Sequence, residues 1–400
     1  MTDVSQVNKT PENLYKMQGL YRFVLALMVL WSHSVLRFFP ETSGWFPDLQ
    51  LGNVAVSSFF VLSGYLMMEA ITLWYADRLP NFLINRYLRI GPPLFVAAVL
   101  SIAVHFSLLH TGELSAGLES IPQAGISRDN ALLALLAPLF PFDSPIAKLF
   151  SIAPAPYYQF VRYSWAIMTE LIFYWFLLFY ALSLRYFGAR LAGTSFLLIA
   201  LLMFVLGTAN QNNFFHNIAW LDFVARIPNV FHMQWAPHFL LGVMISRCAF
   251  YDWCSRRLKL ILLVAAVLAI LQLGLYAAHD DIQSALVVVV LYAIVVGSGF
   301  ALMLSVRHHY SLRWLRLDRN WDSRFGNLSY PVYINQYAIA LALLSVLSVY
   351  DIPLQNLHLI FRIGAFILFN LIIIFTAAVL IRLTDSMTDG LRDRFRGVSL

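Results

Sequence analysis

The 400 residues are 60% apolar and only 12% charged, about half the charged share of an average soluble domain. No water-soluble core of this chain length hides that much apolar surface, so the composition excludes a soluble globular protein and implies one embedded in a bilayer. The formal charge of +6 is spread in short clusters between apolar runs rather than gathered in one patch, which speaks for membrane topology and against a nucleic-acid partner.

Residues 1–18 are polar and lack a signal-peptide pattern, and no small-residue cleavage site follows the first apolar run. That run is expected to stay as a helix behind a cytoplasmic N-terminal segment. A spanning helix needs about 20 mostly apolar residues, and ten segments qualify: 19–37, 52–72, 91–110, 163–184, 192–208, 235–251, 259–277, 284–305, 326–348 and 358–381. Pro138, Pro141 and Pro145 interrupt a further apolar stretch at 131–150, which reads as re-entrant or surface-lying. The predicted fold is an all-α integral membrane bundle of about ten helices over 19–381. A basic tail, 382–400, follows, and both ends are cytoplasmic. With the N-terminus inside, 21 of the 27 basic residues fall on inner segments, as the positive-inside rule requires.

The long outer segment at about 111–162 and a second at 209–234 are candidate functional loops. No soluble domain is expected after the helices. No convincing internal repeat is present, which weakens an inverted-repeat transporter. Cys248 and Cys254 lie in a basic inner loop without a nearby His pair, so neither a disulfide nor a metal site is expected.

The first span holds Arg22 and His33. Eleven residues at 100° each end about 20° past three full turns, so both share one face, about 16 Å apart along the axis. Ionisable groups facing lipid are costly, so that face should look into the bundle, with Arg22 near the cytoplasmic end and His33 near the outer end. Taken alone, the pair also reads as an interfacial anchor and an interfacial hydrogen-bonder.

Further along come Phe59-Phe60-Val61-Leu62-Ser63-Gly64-Tyr65, then Arg86-Tyr87-Leu88-Arg89-Ile90-Gly91-Pro92-Pro93, then Ser164-Trp165-Ala166-Ile167-Met168-Thr169-Glu170 continuing to Phe173-Tyr174, then Leu328-Ser329-Tyr330-Pro331-Val332-Tyr333. Each is weak alone, but with Arg22 and His33 their joint order resembles acyltransferase family three. These are multipass membrane acyltransferases that include O-acetyltransferases of bacterial surface polysaccharides. Relatives often carry His three residues after the second Tyr of the last motif. Here Gln336 stands there, so a role for that His does not transfer.

The resemblance implies acyl-CoA, most simply acetyl-CoA, as a donor substrate reached from the cytoplasm, with no tightly bound cofactor. It implies as acceptor a hydroxyl of a cell-surface or lipid-linked glycan, reached from the outer side of a bacterial inner membrane. An extended pantetheine arm is about as long as the separation of Arg22 and His33. Phosphates at the inner mouth would rest on Arg22, Arg86 and Arg89 through charge-assisted, bidentate contacts, although membrane anchoring explains Arg86 and Arg89 equally well. His33 is the expected general base, and Glu170, at a similar estimated depth, is expected to orient it as the acid does in a triad. The plain alternative for Glu170 is a buried polar residue paired with an Arg. Ser63 and Gly64 would let the donor arm pass close to the backbone, or simply pack helices. Tyr330 and Tyr333 would hydrogen-bond the substrate or sit at the interface as belt residues. His238 is the reserve candidate. A transporter or flippase, and an assembly protein without turnover, are the competing classes.

Overall fold

The computed structural model describes residues 18–76, 78–111, 128–136, 160, 164–211, 233–250, 256–277, 282–306, 319–349 and 356–396. Every regular element among them is helical. The α-helices are α1 (Gly19–Phe38), α2 (Leu51–Leu73), α3 (Leu79–Thr111), α4 (Arg128–Leu136), α5 (Trp165–Gln211), α6 (Ala236–Phe250), α7 (Arg256–Ala277), α8 (Ile282–Val306), α9 (Arg319–Val349) and α10 (Leu359–Arg396). Among the described residues, seven helices are long and apolar enough to cross a membrane: α1, α2, α3, the first part of α5, α7, α8 and α10.

The other three expected spans come out differently. Segments 163–184 and 192–208 join in one continuous helix, α5, 47 residues long. Between Arg185 and Arg190 only Gly188 weakens a helix and no Pro interrupts it, so the charge there marks no turn. The span expected at 235–251 is the 15-residue α6. The span expected at 326–348 lies in α9, whose Asp322, Arg324, Asn327, Asn335 and Gln336 dilute its hydropathy. Residues 382–396, expected as a tail, continue α10 as helix. Segment 1–17, loop residues 112–127 and 137–159, loop residues 212–232 and Cys254 lie outside the described residues.

Helix α2 is the central post. Sixteen of its 23 residues are buried, the mark of a helix covered on all sides. It packs on α1, α3, α5, α6 and α8. Its closest neighbour is α6, because Gly64 and Gly242 remove the side chains where the two backbones meet. A Cβ on Gly64 would lie 2.1 Å from the Phe239 carbonyl oxygen, and one on Gly242 would lie 1.8 Å from that of Val61. Small residues at a membrane helix crossing gain van der Waals contact that larger ones forbid.

Helix α1 lies against α2 on one side and α9 and α10 on the other. A second apolar cluster joins Phe23, Ala26 and Leu30 of α1 to Val332 of α9 and Phe369 and Ile373 of α10. The first turn of α1 is capped from α9: the backbone N–H groups of Gly19 and Leu20 donate to the two carboxyl oxygens of Asp322 at 2.9 and 2.8 Å. An anion at a helix N-terminus satisfies orphan donors and opposes the positive end of the dipole. Outward faces of α7, α8 and α10 present Leu263, Val267, Leu286, Val290, Leu371 and Phe375, as lipid-facing surfaces do.

Three ties gather one end of the bundle. Asp322 fixes the start of α1 to the start of α9. Tyr330 on α9 donates to the Ile90 carbonyl on α3 at 2.9 Å. The side-chain amides of Asn81 and Asn85 near the start of α3 donate to the carbonyls of Phe395 and Arg392 in the last turns of α10. The first and last described helix ends therefore lie at the same end of the molecule.

Candidate active site

A cavity of about 580 Å³ opens inside the bundle, within the range of ligand pockets. Its long wall is one face of α2, where Val56, Phe59, Ser63, Met67, Ala70 and Trp74 recur at helical spacing. From Val56 to Trp74 is eighteen residues, about 27 Å at the helical rise, close to the thickness of a bilayer's hydrocarbon core. Arg22 enters from α1, Arg86 and Arg89 from α3, Glu170 and Tyr174 from α5, and Tyr330 and Tyr333 from α9.

Arg22, Arg86 and Arg89 therefore converge. Arg22 and Arg89 are half-buried, and Arg86 is 7% exposed. The Arg86 guanidinium lies over the Phe82 ring at 5.6 Å, and its Nε is a buried donor without a partner among the described residues. Arg22 and Arg86 lie within electrostatic range of each other and of Arg89, and Glu170 and Asp322 act on Arg22 as opposing charges. Clustered buried cations with donors to spare are costly unless an anion joins them.

Glu170 sits in the middle of the cavity. Ser63 donates its hydroxyl to Oε1 at 2.5 Å, and the Tyr174 hydroxyl donates to the same oxygen. Tyr174 follows Glu170 by four residues, one turn on, so the two share a helix face. Oε2 makes no hydrogen bond among the described residues. Tyr330 and Tyr333 line the cavity opposite, with the Tyr330 hydroxyl committed to Ile90.

Two residues expected in this group lie elsewhere. Gly64 does not line the cavity; it is the contact point with α6. His33 stands exposed near the C-terminal end of α1. The face it shares with Arg22 does look inward, since Ala26 and Val29 between them are 0% and 2% exposed. That stretch is filled by packing, so the cavity runs along α2 instead and leaves His33 beyond it. Its neighbour Ser32 meets Gly52 of α2, whose Cβ would lie 2.7 Å from the Ser32 hydroxyl. The end of the cavity at Val56 is one helical turn below that contact.

Glu170 and His33 are not brought together. Ser63, which holds Glu170, is eleven residues down α2 from Gly52, about 16 Å.

The reserve histidine is committed to structure. His238 is buried, with Nδ1 2.7 Å from the Tyr292 hydroxyl and Nε2 2.8 Å from Gln272 Oε1, tying α6 to α7 and α8. Gln336 is buried on α9 outside the cavity lining, with neither amide atom partnered among the described residues. Sequence reasoning gave Tyr174 no role beyond closing a motif and passed over Gln18, Glu69, Trp74 and Tyr75, all of which line the cavity. Only Tyr174 had a usable signal, its spacing from Glu170.

A membrane-embedded helical bundle enclosing a largely apolar cleft, with three guanidiniums and the carboxyls of Glu69 and Glu170 in its wall, defines the class: a multipass membrane protein with an internal cavity. A family model described as an acyltransferase domain matches residues 20–381, nearly the whole chain. The chain belongs to acyltransferase family three, and it is a membrane acyltransferase. No curated protein and no solved structure matches it.

Proposed function

We propose that this protein moves an acyl group, most simply acetyl, from cytoplasmic acyl-CoA to a hydroxyl of a cell-surface or lipid-linked glycan outside a bacterial inner membrane. The observation that carries this reading is the cavity along α2, cationic at one end and about as long as the bilayer core. The basic residues of that end support a cytoplasmic side for it under the positive-inside rule. The start of α1 and the end of α10 gather at that end too.

In this reading the donor's phosphates rest on Arg22, Arg86 and Arg89, whose planar forks suit phosphate oxygens. Its arm extends along α2 past Ser63. Glu170 accepts from an amide N–H of that arm through Oε2, held in place by Ser63 and Tyr174, and so acts as a positioning residue. Tyr333 faces the arm from α9. The thioester then reaches the outer end of the cavity, one turn below His33. The acceptor oxygen attacks the thioester carbonyl carbon as His33 takes the hydroxyl proton. The new C–O bond forms, the C–S bond breaks, and the proton passes to the departing thiolate.

Purified protein given radiolabelled acetyl-CoA and a glycan acceptor should release CoA and label the glycan. Folded protein that fails to bind CoA would overturn the reading. Labelled substrate moved across vesicles without CoA release would put the transporter in its place. Mass spectrometry of surface glycans with and without the gene identifies the acceptor.

A further inference from the structure

The cationic end of the cavity carries a second chemistry that phosphate binding does not use. Trp74, at the C-cap of α2, lines the cavity there with its side chain 49% exposed. Among the described residues its indole makes no ring contact, cation–π contact or hydrogen bond. An interfacial Trp serving only headgroups has no reason to form part of the wall of a cleft that also holds three guanidiniums.

Tyr75, the next residue, is 2% exposed and also lines the cavity, and its hydroxyl has no partner among the described residues. Its ring meets Phe82 edge-on at 5.8 Å, and Phe82 in turn lies beneath Arg86. This chain of contacts sets the aromatic pair directly beside the cationic group. Gln18, one turn before Arg22, lines the same end, and its Oε1 is a buried acceptor without a partner among the described residues.

The inventory is thus an open aromatic face, a hydroxyl donor and an amide acceptor, all next to a phosphate-binding cluster. A flat heteroaromatic base stacks on indole, and buried unpaired polar groups are satisfied when a ligand supplies the partner. An acceptor at Gln18 Oε1 calls for an exocyclic amine on the base. A donor at the Tyr75 hydroxyl calls for a ring nitrogen. Adenine offers both, whereas a base with a carbonyl in place of the amine sets acceptor against acceptor.

We propose that Trp74, Tyr75 and Gln18 form an adenine-recognising subsite at the cationic end of the cavity, which takes the base of the nucleotide-bearing donor. This rests on the donor assignment above and adds to it the selection of the nucleotide end.

Steady-state transfer is measured with acetyl-CoA, with acetyl-pantetheine, which keeps the thioester and arm but lacks the nucleotide, and with the acetyl-CoA analogue whose adenine amine is blocked by an etheno bridge. Trp74→Ala should raise KM for acetyl-CoA about tenfold, the effect of losing one base-stacking contact, with kcat and the acetyl-pantetheine KM unchanged. Trp74→Phe should recover most of the loss. Tyr75→Phe, which removes a hydroxyl with no partner among the described residues and so leaves folding intact, should raise KM for acetyl-CoA a few-fold. The etheno donor should be poorer than acetyl-CoA for the wild type but not for Gln18→Ala. Equal effects of Trp74→Ala on both natural-arm donors, or none on either, would overturn the subsite while leaving the donor assignment intact. Absence of acetyl-CoA turnover by the wild type would overturn both.

Discussion

Glu170 shows how much a single side chain's setting depends on its neighbours. Its Oε1 collects hydroxyls from Ser63 and Tyr174, and Oε2 is left for a ligand. Ser63→Ala should therefore lower kcat/KM for the donor by roughly tenfold, the effect of losing one hydrogen bond to a carboxyl of about 1.5 kcal/mol, without changing expression. Glu170→Gln, with an amide that can still accept at one atom, should act mainly through KM; an effect confined to kcat would make Glu170 part of the proton transfer instead. At the far end, Glu41 accepts two hydrogen bonds from Arg362 at 2.8 and 2.9 Å. Those bonds first, and then its own backbone, hold the Glu41 carboxyl below its ordinary value. A depressed carboxyl contributes stability above its unfolded pKa and loses it as pH falls through the folded one. The difference in melting temperature between wild type and Glu41→Gln should thus be fully present near neutral pH and fade only as pH falls through and below the ordinary carboxylate range. Because Glu41 is half exposed, the difference should be small and should shrink in salt.

At the scale of helices, the contacts that hold the cavity wall in place are backbone contacts. Gly242→Ala sets a methyl against the Val61 carbonyl, which forces α6 away from α2 and costs about 1–3 kcal/mol. Thermal unfolding in detergent should register that loss, and donor KM should rise with it because α2 is the cavity wall. Gly64→Ala should behave alike, which separates its packing role from any passage for the donor arm. Asp322→Asn keeps one acceptor for the α1 N-terminus but turns an amide toward the second N–H. The expected loss is about 1 kcal/mol, read as a lower melting temperature.

On the scale of the whole molecule, orientation follows from where the ends gather and where the charge lies. In a background without Cys248 and Cys254, a cysteine at Arg394 should react only with reagent supplied from the cytoplasm, and one at Glu41 only from outside. The reverse pattern would invert the donor and acceptor sides. His33→Ala should abolish transfer and leave both labelling patterns intact; retained transfer would remove His33 from the chemistry.

The membrane class, the helical fold and the inward face of α1 were legible in the sequence, because hydropathy and a 3.6-residue period are properties of local chain. So were Arg22, Arg86, Arg89, Ser63, Glu170, Tyr330 and Tyr333 as one group, which the family pattern collected and the cavity brings together. Only tertiary structure decided that the cavity follows α2 rather than α1, since the Ala26–Val29 stretch is filled by helices hundreds of residues away in sequence. The same dependence separated Glu170 from His33, reassigned Gly64 to the α6 crossing and exposed Trp74 and Tyr75 as cavity residues. Depth within a bundle and the partner across a helix crossing are set by how α5 and α6 pack on α2, and no local pattern encodes that.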